Sequence, residues 1–137
     1  MKKRIIPIIC TVVALLIIGI SVMYLNKAKE TTENGEITII LYNKEKEEVE
    51  NKKIEFAKGD TFVKILQDNF NIEINDGMVL KINSLEAYDT KEEFIKIYID
   101  CKPSNKGIKL ILPTNDTIYR FVIEETSNTG NLTDEFC

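Results

Sequence analysis

FIKIYIDCKPSNKGIKLILPTNDTIYRFVIE, residues 94–124, is the stretch that decides the fold. It holds three apolar runs, separated by two polar connections that carry Pro103 and Pro113. Ile95, Ile97 and Ile99 alternate with Phe94, Lys96 and Tyr98, and Tyr119, Phe121 and Ile123 alternate with Ile118, Arg120 and Val122. A period of two places each set on one face of a strand. The first and last runs therefore predict strands, and Ile108, Leu110 and Leu112 predict a third between them.

Working upstream, the same period recurs in Ile37, Ile39 and Leu41, in Ile54 and Phe56, and in Met78, Leu80 and Ile82. Residues 43–53 are mostly Lys and Glu with Val49 as the one apolar side chain, which predicts a solvated hairpin tip. Lys58-Gly59-Asp60-Thr61 predicts a turn into a helix, with Asp60 or Thr61 accepting the first free amide hydrogens. Phe62, Ile65, Leu66, Asn69 and Phe70 then recur at steps of three and four, so the apolar members form a stripe suited to packing on a sheet. Residues 69–77 interrupt the pattern with Asn71, Asn75, Asp76 and Gly77. The glycine and distal glutamate of a calcium loop are out of place there, and no metal site is expected. One amphipathic helix covers only one side of a sheet. The order predicts an α+β class: a β-grasp-like mixed sheet with one packed helix over residues 60–70.

Ahead of this lies a segment of another kind. Residues 5–25 are apolar apart from Pro7, Thr11 and Ser21 and carry no charge. A helix of that length spans about 30 Å, the thickness of a bilayer's hydrocarbon core. Lys2, Lys3 and Arg4 precede it, so residues 1–4 are expected to be a cytoplasmic basic tip, residues 5–25 a single-pass transmembrane anchor, and the remainder extracytoplasmic. Gly19-Ile20-Ser21 offers a competing cleavage site for a signal peptide, but the apolar run continues past it. Cys10 reads as a buried thiol in the span. Residues 26–36, NKAKETTENGE, have Ala28 as their one apolar residue and read as a polar linker. Residues 37–125 form the folded domain, and residues 126–137 read as a flexible tail.

Beyond the anchor and Lys27, 14 basic face 22 acidic side chains, a formal balance of −8, which argues against nucleic acid as a partner. There is no histidine, so the commonest general base and metal ligand is missing. Heavy use of Ile, Lys, Asn and Glu without tryptophan suggests an AT-rich, Gram-positive source.

Three segments carry a family resemblance: Ile82-Asn83-Ser84-Leu85, the run from Ile97 through Asp100-Cys101-Lys102-Pro103 to Ile108, and Leu112-Pro113-Thr114-Asn115-Asp116 leading to Phe121. Across residues 37–124 the chain resembles the transcobalamin C-terminal-like domain, a family of unknown function common in Gram-positive surface proteins. The chain keeps Tyr98, Gly107 and Asp116 of that pattern. It has Asp100-Cys101 where the family has Asn-Gly, Asn115 where a glycine precedes the aspartate, and no tryptophan. Asn tolerates a left-handed backbone, so Asn115 is expected to hold its turn. The resemblance implies a β-grasp-like module and points to Tyr98, Gly107 and Asp116, and the two polar connections add Asp100, Ser104, Asn105 and Asn115 as expected binding residues. A cobalamin-like ligand enters by that analogy alone, and the residues themselves indicate no cofactor.

Functionally, the loops over residues 100–107 and 113–117 are expected to present a binding surface for a small molecule or a membrane or surface protein. The alternative is an assembly role exerted through the transmembrane helix. An enzyme would have to rest on carboxylates such as Asp100 and Asp116, and a non-enzymatic module is expected. Cys101 and Cys137 are the two extracytoplasmic cysteines, and a bond between them would add about 4 kcal/mol by loop-closure entropy.

Overall fold

The computed structural model describes residues 2–25, 27–87 and 91–126. Its first element, α1, runs Lys2–Leu25 and is long and apolar enough over Ile5–Tyr24 to cross a membrane. The hydroxyls inside it are satisfied within the helix: Thr11 donates to the Pro7 carbonyl and Ser21 to the Ile17 carbonyl, each at 2.8 Å. That leaves neither hydroxyl unpaired within an otherwise apolar helix.

The alternating segments become strands β1 (Gly35–Tyr42), β2 (Glu48–Phe56), β3 (Ile72–Asn75), β4 (Met78–Ile82), β5 (Leu85–Glu86), β6 (Glu93–Ile99), β7 (Lys102–Pro103) and β8 (Thr117–Glu125). They form a five-stranded sheet in the order β2-β1-β8-β6-β7 and a three-stranded sheet β3-β4-β5. Most neighbours are antiparallel, but β1 runs parallel to β8, with Ile37 opposite Thr117 and Tyr42 opposite Val122. The sheet is mixed, and the domain is α+β.

Helix α2 (Phe62–Asn69) follows β2 and starts at Thr61, whose hydroxyl accepts the Lys64 N–H at 3.1 Å. Its buried stripe is Phe62, Ile65 and Leu66, as the spacing predicts. These side chains meet Ile37, Ile39 and Leu41 from β1, Ile95 and Ile97 from β6, and Tyr119, Phe121 and Ile123 from β8. Phe62 stands 4.7 Å from Tyr119 between ring centroids and 6.4 Å from Phe121. Val79, Ile82 and Leu85 close the same core from the small sheet.

Several expectations are corrected. Ile108, Leu110 and Leu112 do not form a strand: Ile108–Leu110 is a 3-10 turn, and Ile108 and Ile111 are buried while Leu110 and Leu112 are exposed. The i to i+3 step of a 3-10 turn, not alternation, selects the buried pair. The charged hairpin tip is short, because β2 begins at Glu48 and carries Lys52 and Lys53 on a strand. Residues 69–77 hold β3 and a two-residue turn at Asp76 and Gly77, both at positive φ, the geometry favoured between antiparallel strands.

The polar segment after α1 is no free linker. The Thr31 N–H donates to the Asp60 carbonyl at 2.9 Å, its hydroxyl to the Ala57 carbonyl at 2.8 Å, and its own carbonyl accepts from Gly59 at 2.9 Å. Lys58 N–H donates to Asn34 Oδ1 at 2.8 Å, and Lys29 N–H to the Lys109 carbonyl at 3.3 Å. Backbone bonding, not apolar burial, seats these residues, and Thr31 ends up buried.

Asp60 links this seat to the helix. Its carboxylate accepts the Ala57 N–H at 2.9 Å and pairs with Lys64 at 3.1 Å, and the Ala57 bond first and Lys64 second hold its pKa below the usual carboxylate value. A carboxyl whose folded pKa is lowered stabilises the fold above its unfolded value of about 3.9 and loses that contribution as pH falls through the folded value. Asp60→Asn is expected to cost about 1 kcal/mol at pH 7 in urea unfolding, with wild type and variant converging as the pH drops below about 4.

Candidate functional site

The turn between β6 and β7 is built on Asp100 and Cys101, both at positive φ (45° and 69°). Two consecutive left-handed residues join strands whose twist demands them, which is why Asn-Gly is the favoured pair at such a turn. Asp100 stabilises it with its own side chain, since Oδ1 accepts the Ile118 N–H at 3.0 Å while Asp100 N–H donates to the Ile118 carbonyl at 3.0 Å. Asp-Cys therefore holds this turn without the glycine. Cys101 takes part in a disulfide and Cys10 is a free thiol. Cys137 lies outside the described residues.

At the second connection the left-handed residue is Asp116 (φ 60°), not Asn115. Asn115 acts through its amide: Oδ1 accepts the Glu36 N–H at 2.9 Å, and Asp116 N–H donates to the Glu36 carbonyl at 2.8 Å. Both residues thus bind the entry to β1. Gly35 is required beside them, because a β-carbon there would lie 2.5 Å from Phe56 and 3.0 Å from Asn115.

After β7 the chain turns along the outer side of β6. Ser104 N–H donates to the Ile97 carbonyl at 2.8 Å, Ser104 Oγ accepts the Lys106 N–H at 3.2 Å, and Ile108 N–H donates to the Gly77 carbonyl at 3.0 Å. Ser104, Asn105, Lys106 and Gly107 so form one wall of a groove of about 270 Å³, with Gly77–Val79 opposite and residues 94–97 as its floor. Of the seven sequence-predicted binding residues, Ser104, Asn105 and Gly107 converge here. Asp100 lines a second hollow of about 420 Å³ on the far side of Lys106, with Leu110, Leu112, Thr114 and Tyr119, while Asn115 faces a third. Burial pushes the Tyr119 hydroxyl's pKa up, and Asp100 adds to that.

The floor of the groove has an open strand edge. In an antiparallel pair, alternate residues point their N–H and C=O toward the partner. Asp100 N–H reaches Ile118 and the Glu92 carbonyl accepts from Thr126, so the even-numbered residues of β6 bond β8 and Ile95 and Ile97 face outward. Among the described residues β7 pairs with β6 only at Tyr98 and Ile99, and Ser104 reaches Ile97. Ile95 is left with its backbone groups toward the groove.

Tyr98 does not belong to this surface. It is 1 % exposed on the sheet face away from α2, beside Ile40, Tyr42 and Val122, and its hydroxyl donates to the Glu124 carboxylate. Lys96 Nζ lies 3.6 Å from the other Glu124 oxygen and 5.4 Å from the Tyr98 ring centroid. A buried carboxylate requires such partners, and the family-derived binding role for Tyr98 gives way to a structural one. Among the described residues no group of three or more Asp, Glu, His or Cys side chains is placed to hold a metal ion.

No family model matches the sequence, and no curated protein matches it. One solved structure, described as a "putative metal binding protein" from Ruminococcus gnavus, is similar over 66 % of this chain and 97 % of its own, at 14 % identity and a TM-score of 0.49.

Tyr98→Phe is expected to leave a buried Glu124 oxygen without its hydroxyl donor and to cost about 1–3 kcal/mol, read as a lower urea midpoint with an unchanged slope.

Proposed function

We propose that the chain is a non-enzymatic, membrane-anchored, extracytoplasmic binding module, and that its partner is an extended segment of another membrane or surface protein laid along the groove beside β6. The observation that carries this reading is the outward-facing backbone of Ile95, next to a wall made by Ser104, Asn105 and Gly107. An extended segment supplies the N–H and C=O groups such an edge lacks, while the groove selects alternate side chains. A volume of about 270 Å³ lies just below the range of about 300–1,000 Å³ usual for small-molecule pockets, so a cobalamin-like ligand, which the transcobalamin-like resemblance suggests, fits the groove less well. Lys2, Lys3 and Arg4, at the start of α1 and ahead of its apolar span, support a cytoplasmic N-terminus in the cell membrane, and the Ile-, Lys-, Asn- and Glu-rich composition without tryptophan supports a Gram-positive source.

A photo-crosslinking residue at Asn105 in the full chain is expected to capture a partner in native membranes, and one at Val49, far along β2, is not. With the crosslinker placed at Lys106 instead, which lines the same groove, Ser104→Ala with Asn105→Ala should lower capture several-fold. Equal capture at Asn105 and Val49, or capture that survives these changes but is lost when residues 5–25 are exchanged for an unrelated anchor, would favour assembly through the helix.

We also infer that the disulfide partner of Cys101 is Cys137, the one cysteine besides Cys10 that the sequence supplies. Peptide mapping without reductant should recover the peptides bearing Cys101 and Cys137 linked to each other. Recovery of a homodimeric Cys101 peptide would contradict the pairing.

A further inference from the structure

Where the polypeptide leaves α1, it stays against one edge of the domain. Lys27 N–H still donates to the Tyr24 carbonyl at 3.3 Å, and Lys29 N–H donates to the Lys109 carbonyl at 3.3 Å. Tyr24 and Leu110 wall the same hollow of about 380 Å³, together with Lys27, Ala28, Lys29 and Glu30. Even fully extended, the five residues from Tyr24 to Lys29 reach about 18 Å, and the turn at Lys27 shortens that. A membrane surface that meets α1 at Tyr24 therefore meets the 3-10 turn as well.

The chemistry of that turn suits such a surface. Leu110 and Leu112 are 45 % and 44 % exposed, although Ile108 and Ile111 between and beside them are buried. Lys27, Lys29, Lys106 and Lys109 stand exposed around the two leucines. Lys27 is paired with Glu30 at 3.2 Å, and Asp100 lies across the hollow from Lys106. Exposed apolar side chains ringed by lysine, on a domain whose formal charge is negative, match the boundary of acyl chains and anionic headgroups. Tyr24 at the end of the span adds an aromatic ring of the kind enriched at that depth.

We propose that the 3-10 turn, through Leu110 and Leu112 with Lys106, Lys109 and Lys29, seats the domain on the anionic outer leaflet of the membrane that α1 crosses. This rests on the membrane-anchored reading of α1. The domain is then held at the bilayer with the groove beside β6 at a fixed height. Loop residues 104–107, which wall the groove, run directly into the seated turn.

The chain has no tryptophan, so single tryptophans report depth without interference. Leu110→Trp, Leu112→Trp, Tyr24→Trp and Val49→Trp are made in the full chain. They are reconstituted in vesicles of phosphatidylglycerol and phosphatidylcholine carrying lipids brominated near the headgroup end of the acyl chain. Leu110→Trp and Leu112→Trp are expected to be quenched by at least about half as much as Tyr24→Trp, with blue-shifted emission, while Val49→Trp is unaffected. Lys106→Glu with Lys109→Glu should reduce the quenching of Leu110→Trp about two-fold or more, as should vesicles of phosphatidylcholine alone. Quenching at Tyr24→Trp without quenching at Leu110→Trp and Leu112→Trp would overturn the seat and leave the anchor standing. An absence of quenching at Tyr24→Trp would overturn the anchor and the seat together.

Discussion

The parallel contact between β1 and β8 is the constraint on which the rest of the structure depends. It joins the first and last strands of the domain, with Ile37 beside Thr117, so the chain between them must return to the centre of the sheet. β2 folds back on one side of β1, and β6 lies on the far side of β8, so the central pair is hydrogen-bonded along both edges. Such a long-range contact carries the loop-closure entropy of the whole intervening chain, which the hairpins and α2 must offset. The edge beyond the central pair stays open because the last strand of the sheet, β7, is two residues long, and the groove lies where it stops.

The two faces of the sheet are held by different physics. On the α2 side the contacts are apolar throughout, with Phe62 set between Tyr119 and Phe121. On the other side a small cluster of Ile40, Tyr42, Tyr98 and Val122 shares space with the buried Glu124 carboxylate and its donors. A polar network of that kind adds little net energy but permits few alternative pairings, since a one-residue slip of β6 against β8 would carry Tyr98 away from Glu124. The register that fixes Tyr98 also fixes which backbone groups of β6 face outward. Buried hydrogen bonding on one face thus sets the geometry of the open edge.

Much of this was legible in the residues. The alternation of Ile95, Ile97 and Ile99, and of Tyr119, Phe121 and Ile123, assigned both strands and the buried face of each, and the stripe of Phe62, Ile65 and Leu66 located α2 with its cap at Asp60 or Thr61, of which the structure uses Thr61. Ile108, Leu110 and Leu112 misled because apolar side chains two apart imitate a strand. The informative pair was Ile108 and Ile111, three apart. Asp76-Gly77 between apolar residues was a hairpin signal that the surrounding asparagines obscured. The seating of residues 27–34 could not be read from composition, because Thr31 and Asn34 are held by backbone partners that only the tertiary fold brings near. The candidate site divided along the same line: Ser104, Asn105 and Gly107 share a groove because a local turn returns them along β6, whereas Tyr98, on the opposite face of that strand, was assigned by resemblance and has a structural task.

A firmly held central pair beside a soft, available edge should be visible in residue-resolved native-state amide hydrogen exchange. Ile39, Leu41, Phe121 and Val122 are expected to exchange only with global unfolding, while Ile95 and residues 104–107 exchange orders of magnitude faster through local opening. Protection of Ile95 equal to that of Phe121 in the isolated full chain would contradict this, because the edge would then already be occupied.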